Sequence, residues 1–223
     1  MNYLVVVAHP DDEVLGAGAT IHKLIEEGHT VAVCTMVNQA AARANISETL
    51  PKDQDEAMKI MGVTRCFAAN FPNIRMNTVP HLELVRFIEQ CIENFGAEAI
   101  ITHHPSDTNN DHVMTSYAAQ AASRLFQRKS GIPALKLFLY MEVPSSTEWS
   151  FDTSANRFQP NYFVEIGKPG VDIKLRALAA YKGVMRDYAA TDMDEMFFLQ
   201  KDYSIIFLRC TVRHRSMCFL KCF

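Results

Sequence analysis

Apolar and polar positions follow two rhythms along the first two thirds of this chain. Leu4-Val5-Val6-Val7-Ala8 is an unbroken apolar run, which predicts a buried strand. Just beyond it the spacing of Ile21, Leu24 and Ile25 predicts a helix from Glu13 to Glu27, stopped at Gly28-His29. The switch then recurs. Thr30–Val37 is β-branched and strand-like, and the long, polar, Ala-rich Asn38–Lys52 reads as a loop over the sheet edge. Asp53–Met61 reads as a helix stopped by Gly62, and Thr64–Ala68 as a short strand. Leu82, Leu84, Val85, Ile88, Cys91 and Ile92 stripe a helix over Pro80–Asn94 that ends at Gly96. Ala97–Thr102 is the next strand and His112–Gln127 the next helix. Strand–helix alternation of this kind predicts one α/β domain, a mostly parallel sheet with helices on both faces.

The rhythm changes afterwards. Leu135–Val143 and Tyr162–Ile166 read as strands around a polar loop, and Val171–Met185 as an amphipathic helix. Met196–Leu199 and Ile205–Leu208 are short apolar runs that could add to the core. No repeat, low-complexity tract or linker marks a second domain.

Composition narrows the function. The chain has 223 residues, 48% of them hydrophobic, and a formal net charge of -3. It shows no basic stripe, so a nucleic-acid partner is not expected. The first apolar run is too short to span a bilayer and lacks the basic flank and cleavage site of a signal peptide. That predicts a cytoplasmic protein without a membrane span. Six cysteines occur with no CxxC pair, which argues against a disulfide framework or a Cys-based zinc site.

Two polar segments carry candidate chemistry. His9-Pro10-Asp11-Asp12-Glu13 follows the first strand, and His103 to His112 follows the Ala97–Thr102 strand. Parallel strands bring both to one edge of the sheet, where ligands bind in open α/β folds. His9, Asp12 and His112 could then converge on one cation. Two imidazoles and a carboxylate leave a fourth position open, as catalytic zinc requires; iron or cobalt suits the same donors. Each residue also has a plainer reading. Asp11 and Asp12 suit a helix start, and Asn109 or Asp111 could be an N-cap. An acidic pair after a first strand also suits a Mg²⁺ phosphoacceptor site. Here, however, the Thr64–Ala68 strand is followed by Asn70 and Phe71, with no Asp to phosphorylate. Gly16 and Gly18 do not complete a dinucleotide fingerprint; they are expected to let the first helix lie close on the sheet.

Together, Ala8-His9-Pro10-Asp11-Asp12-Glu13 and Asp107-x-Asn109-x-Asp111-His112 resemble the signature pair of the PIG-L/LmbE family of zinc-dependent N-deacetylases. The resemblance spans residues 1–188 and implies a Rossmann-like fold. It also implies hydrolysis of N-acetyl groups, most often on glucosamine-containing substrates. By position it makes His9, Asp12 and His112 the zinc ligands and Asp11 the catalytic base. Asp111 becomes a carboxylate that orients or polarises a neighbouring group. The position three before the last ligand, a histidine in many members, is Asn109 here. An N-acetylated sugar or glycoconjugate is the implied partner, and a homo-oligomer the implied assembly.

An acetamide resists neutral water, and a zinc-activated water with a polarised carbonyl overcomes that resistance. Asp11 would take the water's proton and return it to the departing nitrogen. His103, His104 or Asn109 would donate to the oxyanion, His104 being placed first. Arg43, Arg75 and Asn109 are candidate contacts to the sugar, and Trp149 could stack on it or pack internally. Beyond Tyr188 the chain departs from the family pattern, so residues 189–223 are set apart as a divergent tail. A non-catalytic metal- and sugar-binding protein with an altered carboxyl end is the alternative function.

Overall fold

The computed structural model describes residues 1–38, 49–144, 146–150 and 157–182, and the backbone of 205–210. Five strands, β1 (Asn2–Val7), β2 (Thr30–Thr35), β3 (Arg65–Ala68), β4 (Ala99–His103) and β5 (Leu137–Met141), run parallel. Two more, β6 (Tyr162–Glu165) and β7 (Ile205–Cys210), complete a sheet of order β3-β2-β1-β4-β5-β7-β6, with β7 antiparallel to both neighbours. A strand of the 189–223 segment is thus part of the sheet, where the apolar Ile205–Leu208 run suggested a core element.

The central strands are buried on both faces, which their continuous apolar sequence requires. Leu4 to Ala8 are all 0% exposed. Tyr3, Val5 and Val7 pack with residues of α1 (Asp12–Glu26), α2 (Leu50–Met61) and α5 (Gly167–Ala179). Leu4 and Val6 pack on the other face with residues of α3 (His81–Phe95) and α4 (Asn110–Ala122). Gly16 brings α1 against β5: a Cβ there would meet Met141 Sδ at 2.6 Å. Gly18, expected to face the sheet, instead faces α2 and α5, with Met61 Sδ and Lys174 Cγ at 3.4 and 3.5 Å from such a Cβ.

Boundary differences have local causes. α2 begins at Leu50, three residues before the expected Asp53, because Pro51 lies in the first turn, where its missing N–H costs nothing. α5 begins at Gly167 rather than Val171 for the same reason, with Pro169 in its first turn. The expected His112–Gln127 helix starts earlier, behind an Asn109 cap, and ends at Ala122; a 3-10 turn covers Leu125–Gln127.

Chain order and strand order together place the site. From β1 the chain moves outward to β2 and β3, then returns to β4 on β1's other side. The β1–β4 boundary is therefore the topological switch point, where the loops leaving two adjacent strands separate and open a crevice. The two polar motifs follow these two strands.

Candidate metal centre and active site

Asp12, at the start of α1, is the hub. Its Oδ2 lies 3.3 Å from His9 Nδ1 and 3.2 Å from His112 Nε2. The ligand atoms of His9, Asp12 and His112 all lie within 4.8 Å of one another. Donors on a tetrahedral zinc stand about 3.4 Å apart, given bonds of about 2.1 Å. Both distances to Asp12 match that edge, so the residues present fit a metal ion.

The outer nitrogens are held as well. His9 Nε2 is 3.1 Å from Asp111 Oδ2, and His112 Nδ1 is 3.2 Å from Asp107 Oδ2. A carboxylate behind each imidazole fixes tautomer and ring direction and raises its basicity as a ligand. Asp111 is itself fixed by the backbone N–H groups of Ile74 at 2.6 Å and Met76 at 3.1 Å. Asp107 accepts from Asn109 N at 2.8 Å, from Thr147 Oγ1 at 2.7 Å and from Ser146 Oγ. His103, Asp107 and His112 form a second close group, but Asp107 is already saturated by these donors. His103, wholly buried, stacks on His112 at 3.9 Å and accepts from Ala8 N at 2.9 Å. We read that group as the support behind the first.

Electrostatics follow from this crowding. Burial alone would lower His9 and His112, but Asp111 and Asp12 lift His9 to about 9, while Asp12 and Asp107 lift His112 to about 10. Burial and the neighbouring His112 push His103 down to about 4. Burial opposes ionisation of Asp12, yet His112 and His103 hold it well below the usual carboxylate range. Asp11 has the opposite surroundings: burial, then the Asp12 and Glu13 carboxylates, push it well up.

Asp11 itself is partly exposed and has φ 109, a backbone conformation that costs a non-glycine residue energy. Its N–H donates to Glu13 Oε2 at 3.1 Å, and Glu13 Oε1 accepts from Tyr181 OH. Glu13 is fully buried, and burial lifts its pKa to about 7 against the Tyr181 hydrogen bond.

The structure brings His9, Asp12 and His112 together, with Asp111 behind His9 and Asp11 beside Asp12. Asn109 caps α4 by accepting from Asp111 N at 2.9 Å. His104 is a member of neither close ligand group. It is buried, its ring is met edge-on by Tyr140 and Phe158 with centroids at 5.4 Å, and its Nδ1 accepts from Ser106 N. Arg75 is exposed beside a 3-10 turn at Met76–Thr78, and Arg43 lies outside the described residues. Trp149 is 69% exposed, so it is no packing residue. Sequence reasoning gave Asp107 no role although it heads the second motif, and it missed Ser146, Thr147 and Tyr181, which carry no local signal.

A family model described as GlcNAc-PI de-N-acetylase (PIG-L) matches residues 4–123, which include all three candidate ligands. The chain belongs to this family. Among PIG-L relatives, the uncharacterized deacetylase YaiS of Escherichia coli K12 is 27% identical over 187 residues, covering 80% of this chain and 89% of YaiS. N,N'-diacetylchitobiose deacetylase from Pyrococcus horikoshii matches the fold with a TM-score of 0.75 at 17% identity, over 94% and 83% of the two chains. The 4-carboxy-2-hydroxymuconate hydratase GalB of Pseudomonas putida KT2440 matches at 0.65 and 16% identity, over 96% and 97%. Likenesses at such identities show a common fold alone, and GalB carries a hydratase name on it. Membership of the PIG-L family therefore rests on the match to residues 4–123, and the reaction must be argued from the site.

Proposed function

We propose that this chain is a zinc-dependent hydrolase that removes the acetyl group from an N-acetylated amino sugar of the N-acetylglucosamine type. The observation that carries the reading is the His9–Asp12–His112 cluster with the strained Asp11 beside it. His9 Nδ1, Asp12 Oδ2 and His112 Nε2 would hold the ion. A bound zinc supplies Lewis acidity towards the amide carbonyl and a water reactive near neutral pH. Everything else belongs to the chain.

Asp11 accepts the attacking water's proton on a carboxylate oxygen and returns it to the leaving nitrogen, so that amide and water become amine and acetate. Asp111 holds His9, and Asp107 holds His112. His104, whose Nδ1 accepts the Ser106 N–H, is the proposed donor to the developing oxyanion. Asn109, Arg75 and Arg43 are the proposed contacts to the sugar. The reading takes residues 1–188 as the deacetylase domain and 189–223 as a divergent tail that contributes β7. It also keeps a cytoplasmic homo-oligomer. Among the described residues, no helix is long and apolar enough to cross a membrane.

The test is acetate release from methyl N-acetylglucosaminide by zinc-loaded protein, with and without chelator. Release that stops with chelator and returns with zinc supports the reading. Sugar binding without any release favours the non-catalytic alternative.

A further inference from the structure

His103 closes β4, is wholly buried, and takes no part in the reaction proposed above. One of its ring nitrogens, Nδ1, has no hydrogen-bond partner among the described residues. An unpaired buried polar atom costs free energy, and a residue that carries one calls for a reason. The reason lies on the ring's other edge and on its face.

The ladder between β1 and β4 ends with Val6 opposite Thr102. Two residues further, Ala8 is 0% exposed, and its N–H donates to His103 Nε2 at 2.9 Å. A buried N–H must find an acceptor, and this bond holds the backbone where it enters His9. The same Nε2 lies 3.4 Å from Asp12 Oδ2, close to the 3.2 Å of His112 Nε2. A backbone N–H can only donate, however, so the lone pair that a metal would need on His103 is already taken. Nor is His103 a member of the His9–Asp12–His112 group.

The face of the ring meets the other motif. It lies on His112 with centroids 3.9 Å apart and planes 13° from parallel. The torsion that turns an imidazole about its stem lies in a broad well. Asp107 fixes one edge of His112, and a flat buried neighbour against its face stops the ring from tilting. We propose that His103 is the positioning residue of the metal centre. Its Nε2 sets the approach of His9 and its face sets the plane of His112, so one side chain brings the two motifs into register. This rests on the metal reading of the site and holds whatever amide is cleaved.

Zinc affinity, measured by competition with a chelating dye, tests it without any turnover. His103→Phe keeps a flat ring but leaves the Ala8 N–H without its acceptor; His103→Gln offers an acceptor but no ring face. Each should weaken zinc binding about tenfold or more. Ile88→Val, in the core under α3, should lower the melting temperature and leave zinc affinity at the wild-type level, which separates positioning from lost stability. Wild-type affinity in either His103 variant, or an equal loss in Ile88→Val, overturns the inference. A second measurement needs no variant. In the cadmium-loaded wild type, scalar coupling from the metal should reach the imidazole protons of His9 and His112 and not those of His103. Coupling to His103 would make it a ligand and overturn the proposal. A wild type that binds no zinc at all would overturn the metal reading itself, and this inference with it.

Discussion

Asp107 Oδ2 stands 3.2 Å from His112 Nδ1 and 2.7 Å from Thr147 Oγ1, so one carboxylate oxygen joins a metal-ligand candidate to the turn beyond β5. The His112 pull holds Asp107 down at about 2, against the burial that would raise it, and His112 is correspondingly kept basic. Removing that charge leaves all three ligands in place but frees the ring. Asp107→Asn should weaken metal affinity by about 10- to 100-fold, read by competition with a chelating dye. Unchanged affinity would mean that Asp107 does not support the ligand.

Tyr181 reaches the candidate base through one intermediary. Its hydroxyl donates to Glu13, and Glu13 takes the Asp11 N–H, holding the backbone at φ 109. Tyr181→Phe removes one buried hydroxyl and should cost about 1 kcal/mol of stability. If the link positions Asp11, kcat should fall about tenfold while KM and bound metal stay at wild-type levels. A loss of metal, or an unaltered kcat, would assign Tyr181 to packing alone.

The limits of sequence reading here are physical. β1, β2, β4 and β5 were legible because a buried parallel strand is a nearly uninterrupted apolar run, which the largely exposed edge strand β3 is not, and both motifs sit directly after such runs. His9, Asp12 and His112 could be paired because parallel strands share an edge. Tyr181, Ser146 and Thr147 could not be found, because their roles depend on how α5 and the turn after β5 dock, and no local spacing encodes that. α2 and α5 start at Leu50 and Gly167, before the expected Asp53 and Val171, because a first turn tolerates Pro51 and Pro169. The Ile74 backbone donor has no signal in residue type at all.

Lys174, outside the ligand groups, gives a pH signature of its own. Burial lowers its pKa from 10.5 to about 8, with Glu142 pulling the other way, and its Nζ donates to Leu15 O at 2.7 Å. Between those two values the unfolded chain binds more protons than the folded one, so this group's penalty is full below pH 8 and fades as pH rises towards 10.5. The depressed pKa corresponds to about 3 kcal/mol, and loss of the Leu15 bond takes back about 1 kcal/mol. Lys174→Met should therefore stabilise the protein at pH 7 by about 2 kcal/mol, an advantage that shrinks between pH 8 and 10.5. Denaturant melts across that range check it; an advantage independent of pH would show that the ammonium is not the source.

The most direct test of the account measures bound metal and acetate release side by side for the wild type, Asp11→Ala and His112→Ala. The account predicts that Asp11→Ala keeps wild-type metal and loses at least about a hundredfold in turnover, whereas His112→Ala loses both metal and turnover. Full turnover in Asp11→Ala, or full metal occupancy in His112→Ala, would contradict it.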